Sequence, residues 1–460
     1  MPSKRKNHVT TGKILHSLAR LTVPMFVGAI LQNMQSLIDL FWVGRLGSES
    51  VATLALSGTI LMLLFPVIMG AATGTVAMVS RFVGSGRYDE ASDAAGQSLL
   101  VALIMGLAAG VSGWMFAGEL SRMLGAGDSV SGLAGQYLGI SFLGCFTIFV
   151  LFIGNSALQG AGNTILPTLA MLFANAINIA LDPLMIYGLL GFPRLGVRGA
   201  AWATVISNTV AAGVVVFFLF RGVSGLHVHL KKWRIRPGLI RTLLLIGIPS
   251  SGQMLSRSLM SLIIMRIVAL CGTAAIAGYG IGMRFHMIIL MPAFVLGNAV
   301  ATMAGQNLGA GRPDRAAAAA WLATCIDIAF MVASALLMLA YAPQFVRIFD
   351  PSPEVVAVGS GYLRTVSPFY VFTALAIVLG RALDGAGHTL WTMIFTITSL
   401  WGLQVPLALL FFRVFENPIQ GIWWAIAVAL TAHGLMVTGW FMSGRWKKHF
   451  LKVLPNGVLP

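Results

Sequence analysis

The octapeptide ALQGAGNT at residues 157–164 recurs as ALDGAGHT at 382–389, 225 positions downstream. The same shift carries VGSGRYDEA (83–91) onto LGAGRPDRA (308–316). It also carries LTVPMFVGAILQNMQSLI (21–38) onto IGIPSSGQMLSRSLMSLI (246–263), placing Pro24 on Pro249. Near the ends the shift drifts to 222, pairing VRGAAWA (197–203) with IQGIWWA (419–425). So many matches in one register make the chain a tandem repeat, and the fold follows from what one repeat contains.

Each repeat is overwhelmingly apolar. The 460 residues are 57% hydrophobic and only 10% charged, against about 25% charged in a soluble chain, and mean hydropathy is +0.87. Apolar runs long enough to cross a bilayer recur twelve times, six in each repeat. An even number of spans gives both repeats the same orientation, related by an axis along the membrane normal. The expected fold is an all-α polytopic membrane protein with twelve transmembrane helices. They form two six-helix lobes related by a pseudo-two-fold axis. Residues 1–220 form the N-terminal lobe, 221–241 a basic cytoplasmic linker and 242–460 the C-terminal lobe. The basic head precedes a long apolar run with no small-residue cleavage site, so the first span is expected to be retained.

The net charge of +16 raises the question of nucleic acid, and its distribution argues against it. All eight lysines fall at the head (Lys4, Lys6, Lys13), in the middle loop (Lys231, Lys232) or in the tail (Lys447, Lys448, Lys452). With twelve spans these segments share one side, and the positive-inside rule makes that side the cytoplasm. Both termini are therefore expected there, in a multi-pass protein of a bacterial inner membrane. Anionic lipid headgroups are the expected contact of the basic charge. Arg194 and Arg198 lie in an expected outer loop and are an exception to the rule. Cys145, Cys271 and Cys325 stand singly in apolar surroundings. They offer neither a metal spacing nor a disulfide framework.

Ionisable residues inside the bilayer mark functional sites by default, since each costs roughly 2.5–3.5 kcal/mol at a helix centre. Asp39 lies in the first span and Asp182 in the fifth, within NAINIALDPLMIYG (175–188). Asn175, Asn178 and Asp182 share one helical face, as do Gln32, Gln35 and Asp39, with Ser36 beside them. The two amide stripes are expected to meet across a polar pocket. Pro183 frees a backbone carbonyl beside the carboxylate, and such groups are tolerated at this depth only against a cavity or buried in protein. Pro24 is the expected hinge of the first span. The second repeat lacks the pair: Ile264 stands opposite Asp39, and only Gln404 stands near the place of Asp182. That repeat carries Arg257, Arg266 and Arg284 instead, each able to pair with an acid, snorkel or contact substrate. Asp327 has no polar stripe around it and reads as structural. Asp384, in a Gly-rich turn, reads as a cap. Among the 23 methionines, Met34, Met171, Met254, Met260 and Met287 are candidates for an adaptable pocket.

These residues carry a resemblance. The twelve spans in two lobes, Pro24 and Asp39 in the first helix, NAINIALDPLMIYG followed by GVRGAAWAT, and the ALQGAGNT/ALDGAGHT pair are similar over the whole chain to the multidrug and toxic compound extrusion (MATE) family. Within it they most resemble the branch named for a DNA-damage-inducible protein. The resemblance implies a coupling-ion site in the N-lobe formed by Asp39, Asn178 and Asp182, with Thr204 and the backbone of Ala200. Tyr137 and Asn155 match further members of that cavity. The other bacterial branch has acidic residues in its seventh and tenth helices, and this chain has none at those interior positions, which argues against a sodium site in its C-lobe. The family implies efflux of small cationic amphipathic drugs in exchange for protons or sodium.

The expected mechanism is antiport. Asp39 and Asp182 bind a proton or Na⁺, the first helix bends at Pro24, the drug leaves and the lobes rock. Gln32, Gln35, Asn175, Tyr137, Asn155, Met34, Met171 and Arg284 are the expected cavity residues. No cofactor beyond the coupling ion H⁺ or Na⁺ is expected, and the protein is expected to act as a monomer. A lipid or lipid-linked precursor flippase of the same superfamily is the alternative. An enzyme is disfavoured, since the one Gly-x-Gly-Asp sequence, GAGD at 125–128, lies between apolar runs rather than within one, and no GxxxxGK[ST] loop is present.

Overall fold

The computed structural model describes residues 8–123, 127–229 and 234–447. Among them every regular element is a helix, and the chain divides into two compact units, Ala19–Ile248 and Met1–Leu18 with Pro249–Pro460. The basic residues Lys4, Arg5, Lys6, Lys231, Lys232, Lys448 and Lys452 lie outside the described residues.

After a single turn α1 (His8–Thr11), the first repeat runs through α2 (Ile14–Gly44), α3 (Ser48–Met62), α4 (Phe65–Gly84), α5 (Tyr88–Met115), α6 (Ala117–Met123), α7 (Asp128–Leu143), α8 (Cys145–Gly160), α9 (Ile165–Tyr187) and α10 (Val197–Phe220). The second holds α11 (Pro237–Ala269), α12 (Thr273–Gly309), α13 (Pro313–Arg347), α14 (Pro353–Val366), α15 (Tyr370–Ala374), α16 (Gly380–Gly385), α17 (Thr389–Ile397), α18 (Val405–Val414) and α19 (Pro418–Met442). Two π-helical stretches, Leu375–Leu379 and Thr398–Gln404, join α15 to α16 and α17 to α18.

Among the described residues, ten helices or merged helices are long and apolar enough to span a bilayer. The pair α7 and α8, bent by 47° at its break, makes an eleventh. The remaining expected span is α11. At 33 residues it is long enough, but Gln253, Arg257 and several serines interrupt its apolar character. A span that buries polar groups against its neighbours is poorly visible to hydropathy.

Two glycines set the geometry around α9. Gly188 terminates the helix in the left-handed region at φ 75°, where a Cβ would also meet the Arg194 amide and Phe192 carbonyl at 2.9 Å. Gly199 lets the first turn of α10 rest directly on α9: a Cβ there would stand 2.4 Å from the Met185 carbonyl oxygen. Ala200, Ala201 and Ala203 continue this small-residue contact and are essentially inaccessible. In the second repeat the core is aromatic: Tyr279 stacks on Trp423 at 5.3 Å, and Tyr362 meets both edge-on. Ile264, opposite Asp39 in the repeat, belongs to that core at 1% exposure.

The segment leading to α11 is fastened to α5. Ser92 accepts from the His227 amide, and Gln97 both donates to the Arg234 carbonyl and accepts from the Arg236 amide. In the other unit Arg312 donates to the Thr10 carbonyl at 2.8 Å, and Arg315 to the carbonyls of Val9 and Gly12.

Candidate ion-coupling site

The site begins with how α2 and α9 are joined. Thr164 donates to the carbonyl of Arg20, Thr168 to that of Pro24, Asn175 to that of Leu31 and Tyr187 to that of Trp42. The last three are 2.7 Å bonds, and the sequence separations are 144, 144, 144 and 145. An almost constant separation requires two parallel helices in fixed register. Pro24 donates no amide to Arg20, so the hydroxyl of Thr164 serves a carbonyl that the proline leaves free. Met171 lies in the same contact, its sulfur 3.7 Å from a Cβ placed on Gly28.

This lacing brings the two stripes together. Asp182 and Asn178 are completely buried, and Asp39, half-buried, faces both of them. The Asn178 amide points at Asp182 Oδ1 and Thr204 Oγ1, each at 3.5 Å, the outer limit of a hydrogen bond. Thr204 reaches this position because Gly199 and Ala200 let α10 approach α9. Tyr137 stands within electrostatic range of both carboxylates and shares an apolar cluster with Ala200 and Ile186 behind them.

What the site lacks defines its chemistry. Asp39 Oδ1, Asp182 Oδ2 and Asn178 Oδ1 are buried without a hydrogen-bond donor. Among the described residues no lysine, arginine or histidine lies within ion-pair distance of either carboxylate. Each orphaned buried acceptor costs about 1–3 kcal/mol. Two facing carboxylates are acceptors only and cannot bond without a proton or cation between them. The donor set, all oxygen and with Thr204 Oγ1 at its edge, fits a proton or a hard monovalent cation. Among the described residues no group of three His, Cys, Asp or Glu side chains suggests a multivalent metal.

The other residues singled out in the sequence are distributed more widely. Gln35 is half-buried and Gln32 and Met34 are exposed on α2; none is hydrogen-bonded to the carboxylates. Asn175 commits its amide to α2, as above. Asn155 on α8 is half-buried with an unpaired Oδ1, and no bond links it to the pair. Arg284 is exposed on α12, Met260 is core at 3% exposure, and Met287 is 55% exposed. Asp327 is fully buried, and neither oxygen has a hydrogen-bond partner among the described residues. Asp384 makes no side-chain cap bond to α16 or α17; it is buried, accepts from Thr392 at 2.7 Å and lies 3.7 Å from Arg381. The lacing residues Thr164, Thr168 and Tyr187 escaped sequence reading, since hydroxyl-to-carbonyl bonds leave no pattern beyond their spacing.

Comparison with known proteins identifies the family to which this fold belongs. The family model MatE matches twice, at residues 24–184 and 249–410. The chain is 24% identical over 443 residues to a probable multidrug resistance protein NorM of Thermotoga maritima, covering 95% of this chain and 94% of that one. It is 26% identical to a FAD transporter of Shewanella oneidensis, over 88% of this chain and 90% of the relative. A solved MATE structure in the bent conformation superposes with a TM-score of 0.88 at 25% identity, over 95% of this chain and 96% of that one. Two tandem matches cover well over half the residues, one per repeat, and the chain therefore belongs to the MatE family of multi-pass membrane transporters.

Proposed function

We propose that the protein is a secondary antiporter that exports cationic amphipathic compounds in exchange for H⁺ or Na⁺ at Asp39 and Asp182. The observation that carries this reading is the facing carboxylate pair with its orphaned oxygens and, among the described residues, no protein counter-charge. Such a pair holds a proton or monovalent cation in one state and offers uncompensated negative charge in the other. The second state attracts a cationic compound, and the first releases it. Asn178 and Thr204, bonded only at the outer limit, are free to reorient as the charge changes. Pro24 is the bending point, and Thr164 and Thr168 hold the carbonyls of Arg20 and of Pro24 itself. Relatives named as multidrug resistance proteins support drug export.

The energetics constrain the stoichiometry. One charge entering down about 100 mV releases about 2.3 kcal/mol. A hundredfold gradient of a neutral compound costs about 2.7 kcal/mol, and a monovalent cation moved outward against the same potential adds about 2.3 kcal/mol. One ion driven by the potential alone falls short. The cycle needs an ion concentration gradient or a second ion.

The test is dye accumulation in cells expressing wild type, Asp39→Asn or Asp182→Asn. Both variants should accumulate dye like cells without the transporter, and efflux equal to wild type by both ends the assignment. Repeating the wild-type measurement with sodium replaced by potassium, and again with the proton gradient collapsed, names the ion.

A further inference from the structure

The second repeat replaces the carboxylate pair with apolar core, and it places charge elsewhere. Arg257 is the counterpart of Gln32 at the 225-residue offset. It lies one turn beyond Gln253 on the same face of α11. Gln253 donates to the Thr392 carbonyl at 3.2 Å and to Thr396 Oγ1 at 3.0 Å, which fixes this face of α11 against α17. Thr396 in turn touches His433 Nε2 of α19 at 3.4 Å, and Thr392 donates to Asp384 at 2.7 Å. Arg257 is within electrostatic range of Arg381, Asp384 and His433. The side chain of Arg381 lies over Gly297 of α12, where a Cβ would come within 2.8 Å of its Cγ.

Two features separate this cluster from an ordinary buried ion pair. First, two guanidiniums share one carboxylate, and that carboxylate is already engaged by Thr392 and Arg381. Among the described residues Arg257 has no ion pair or hydrogen bond. Second, the charges are layered. Asp384, Thr392, Thr396, Gln253 and His433 are buried, whereas Arg257 and Arg381 keep part of their surface accessible. The neutralising groups are thus the more deeply buried members of the cluster. The two π-helical stretches immediately precede Arg381 and follow Thr396, while the equivalent residues 150–154 and 173–179 of the first repeat are regular α-helix. π-Turns within α-helices occur frequently at functional sites.

We propose that Arg257 and Arg381 form an anion site in the C-terminal unit, recognising the phosphate of an amphipathic phosphate ester. Guanidiniums present planar donor forks matched to phosphate oxygens, and a membrane-embedded arginine without a partner needs such a counter-charge. The proposal rests on the chain being a transporter but shares no residue with the Asp39–Asp182 site. The ester has two sources, a soluble amphiphile or the headgroup of an anionic lipid, and they are distinguished by competition.

The experiment uses the purified full chain in detergent, with flavin mononucleotide as probe and riboflavin, the same ring without phosphate, as control. Binding is read from quenching of flavin fluorescence. Wild type should bind the phosphorylated flavin at least about tenfold more tightly, as expected for charge-assisted hydrogen bonds to phosphate. Arg257→Gln should lower that ratio toward one, while Arg257→Lys retains part of it. Gly297→Ala keeps every charge but displaces Arg381, and it should also lower the ratio; it keeps the test valid if Arg257→Gln fails to fold. Displacement of the nucleotide by phosphatidylglycerol but not phosphatidylcholine assigns the site to a lipid headgroup. Retention of the nucleotide assigns it to a soluble ester. Equal binding of the two flavins by wild type, or an undiminished ratio in variants that elute and melt like wild type, overturns the proposal. Because binding is read without turnover, this result is independent of dye efflux by the Asp39 and Asp182 variants.

Discussion

Gly199→Ala tests the link between helix packing and the proposed coupling site. The added methyl would lie 2.4 Å from the Met185 carbonyl oxygen and 2.5 Å from its carbon, both backbone atoms of α9 that cannot rotate away. A carbon–oxygen contact needs about 3.3 Å, so α10 must retreat by about 0.9 Å at this point. Overpacking of this kind costs about 1–3 kcal/mol. Thr204 lies little more than one turn along α10, and its bond from Asn178 is already 3.5 Å. The same retreat stretches that bond to about 4.4 Å, beyond hydrogen-bond reach. Gly213, on the same helix, has nothing within 4 Å of its Cβ position. There alanine should stabilise by about 0.5–1 kcal/mol by restricting the unfolded chain. The assay is a thermal melt of both purified variants by tryptophan fluorescence, with dye efflux measured in parallel. Gly199→Ala should melt lower and pump poorly, and Gly213→Ala should melt at or above wild type with normal efflux. Wild-type melting and efflux by Gly199→Ala, or equal damage from both alanines, refutes the reasoning.

Other outcomes follow from the same contacts. Thr168→Val and Tyr187→Phe each remove one 2.7 Å bond to α2 and should cost about 0.5–1.5 kcal/mol in denaturant melts; their effects should add, because the sites are far apart. Met260→Ala should destabilise by about 2–5 kcal/mol as a core truncation, whereas Met34→Ala and Met287→Ala, 48% and 55% exposed, should leave the melt unchanged and be judged by efflux alone. Arg236→Ala breaks a 2.7 Å pair with Asp93 between half-exposed groups. It should cost less than about 1 kcal/mol, and a larger loss would show that this segment matters more than its contacts imply.

Much of this architecture can be read before any coordinates are known, and for identifiable reasons. The repeat is visible because its glycine turns recur in register, and the carboxylate pair because Asp39 and Asp182 end amide stripes at helical spacing. The pairing of α2 with α9 is implied by those stripes, but its register is not, since it rests on Thr164, Thr168 and Tyr187 reaching main-chain oxygens. The cluster of Arg257, Arg381, Asp384 and His433 is invisible for another reason. Arg381 and Asp384 are three residues apart on α16, but Arg257 and His433 stand on α11 and α19, which only tertiary packing joins to it. Asp384 shows the hazard directly: a Gly-rich turn suggests a cap, and burial beside Arg381 gives it a different part.

The lacing of α9 onto α2 has an evolutionary corollary. Every donor lies on α9 or at its N-cap, and every acceptor is main chain on α2. Side chains at Arg20, Leu31 and Trp42 can therefore drift without breaking the seam, while Thr164, Thr168, Asn175 and Tyr187 cannot. The first helix is thereby released to vary its side chains over generations, its alignment held by a neighbour that carries the burden of restraint.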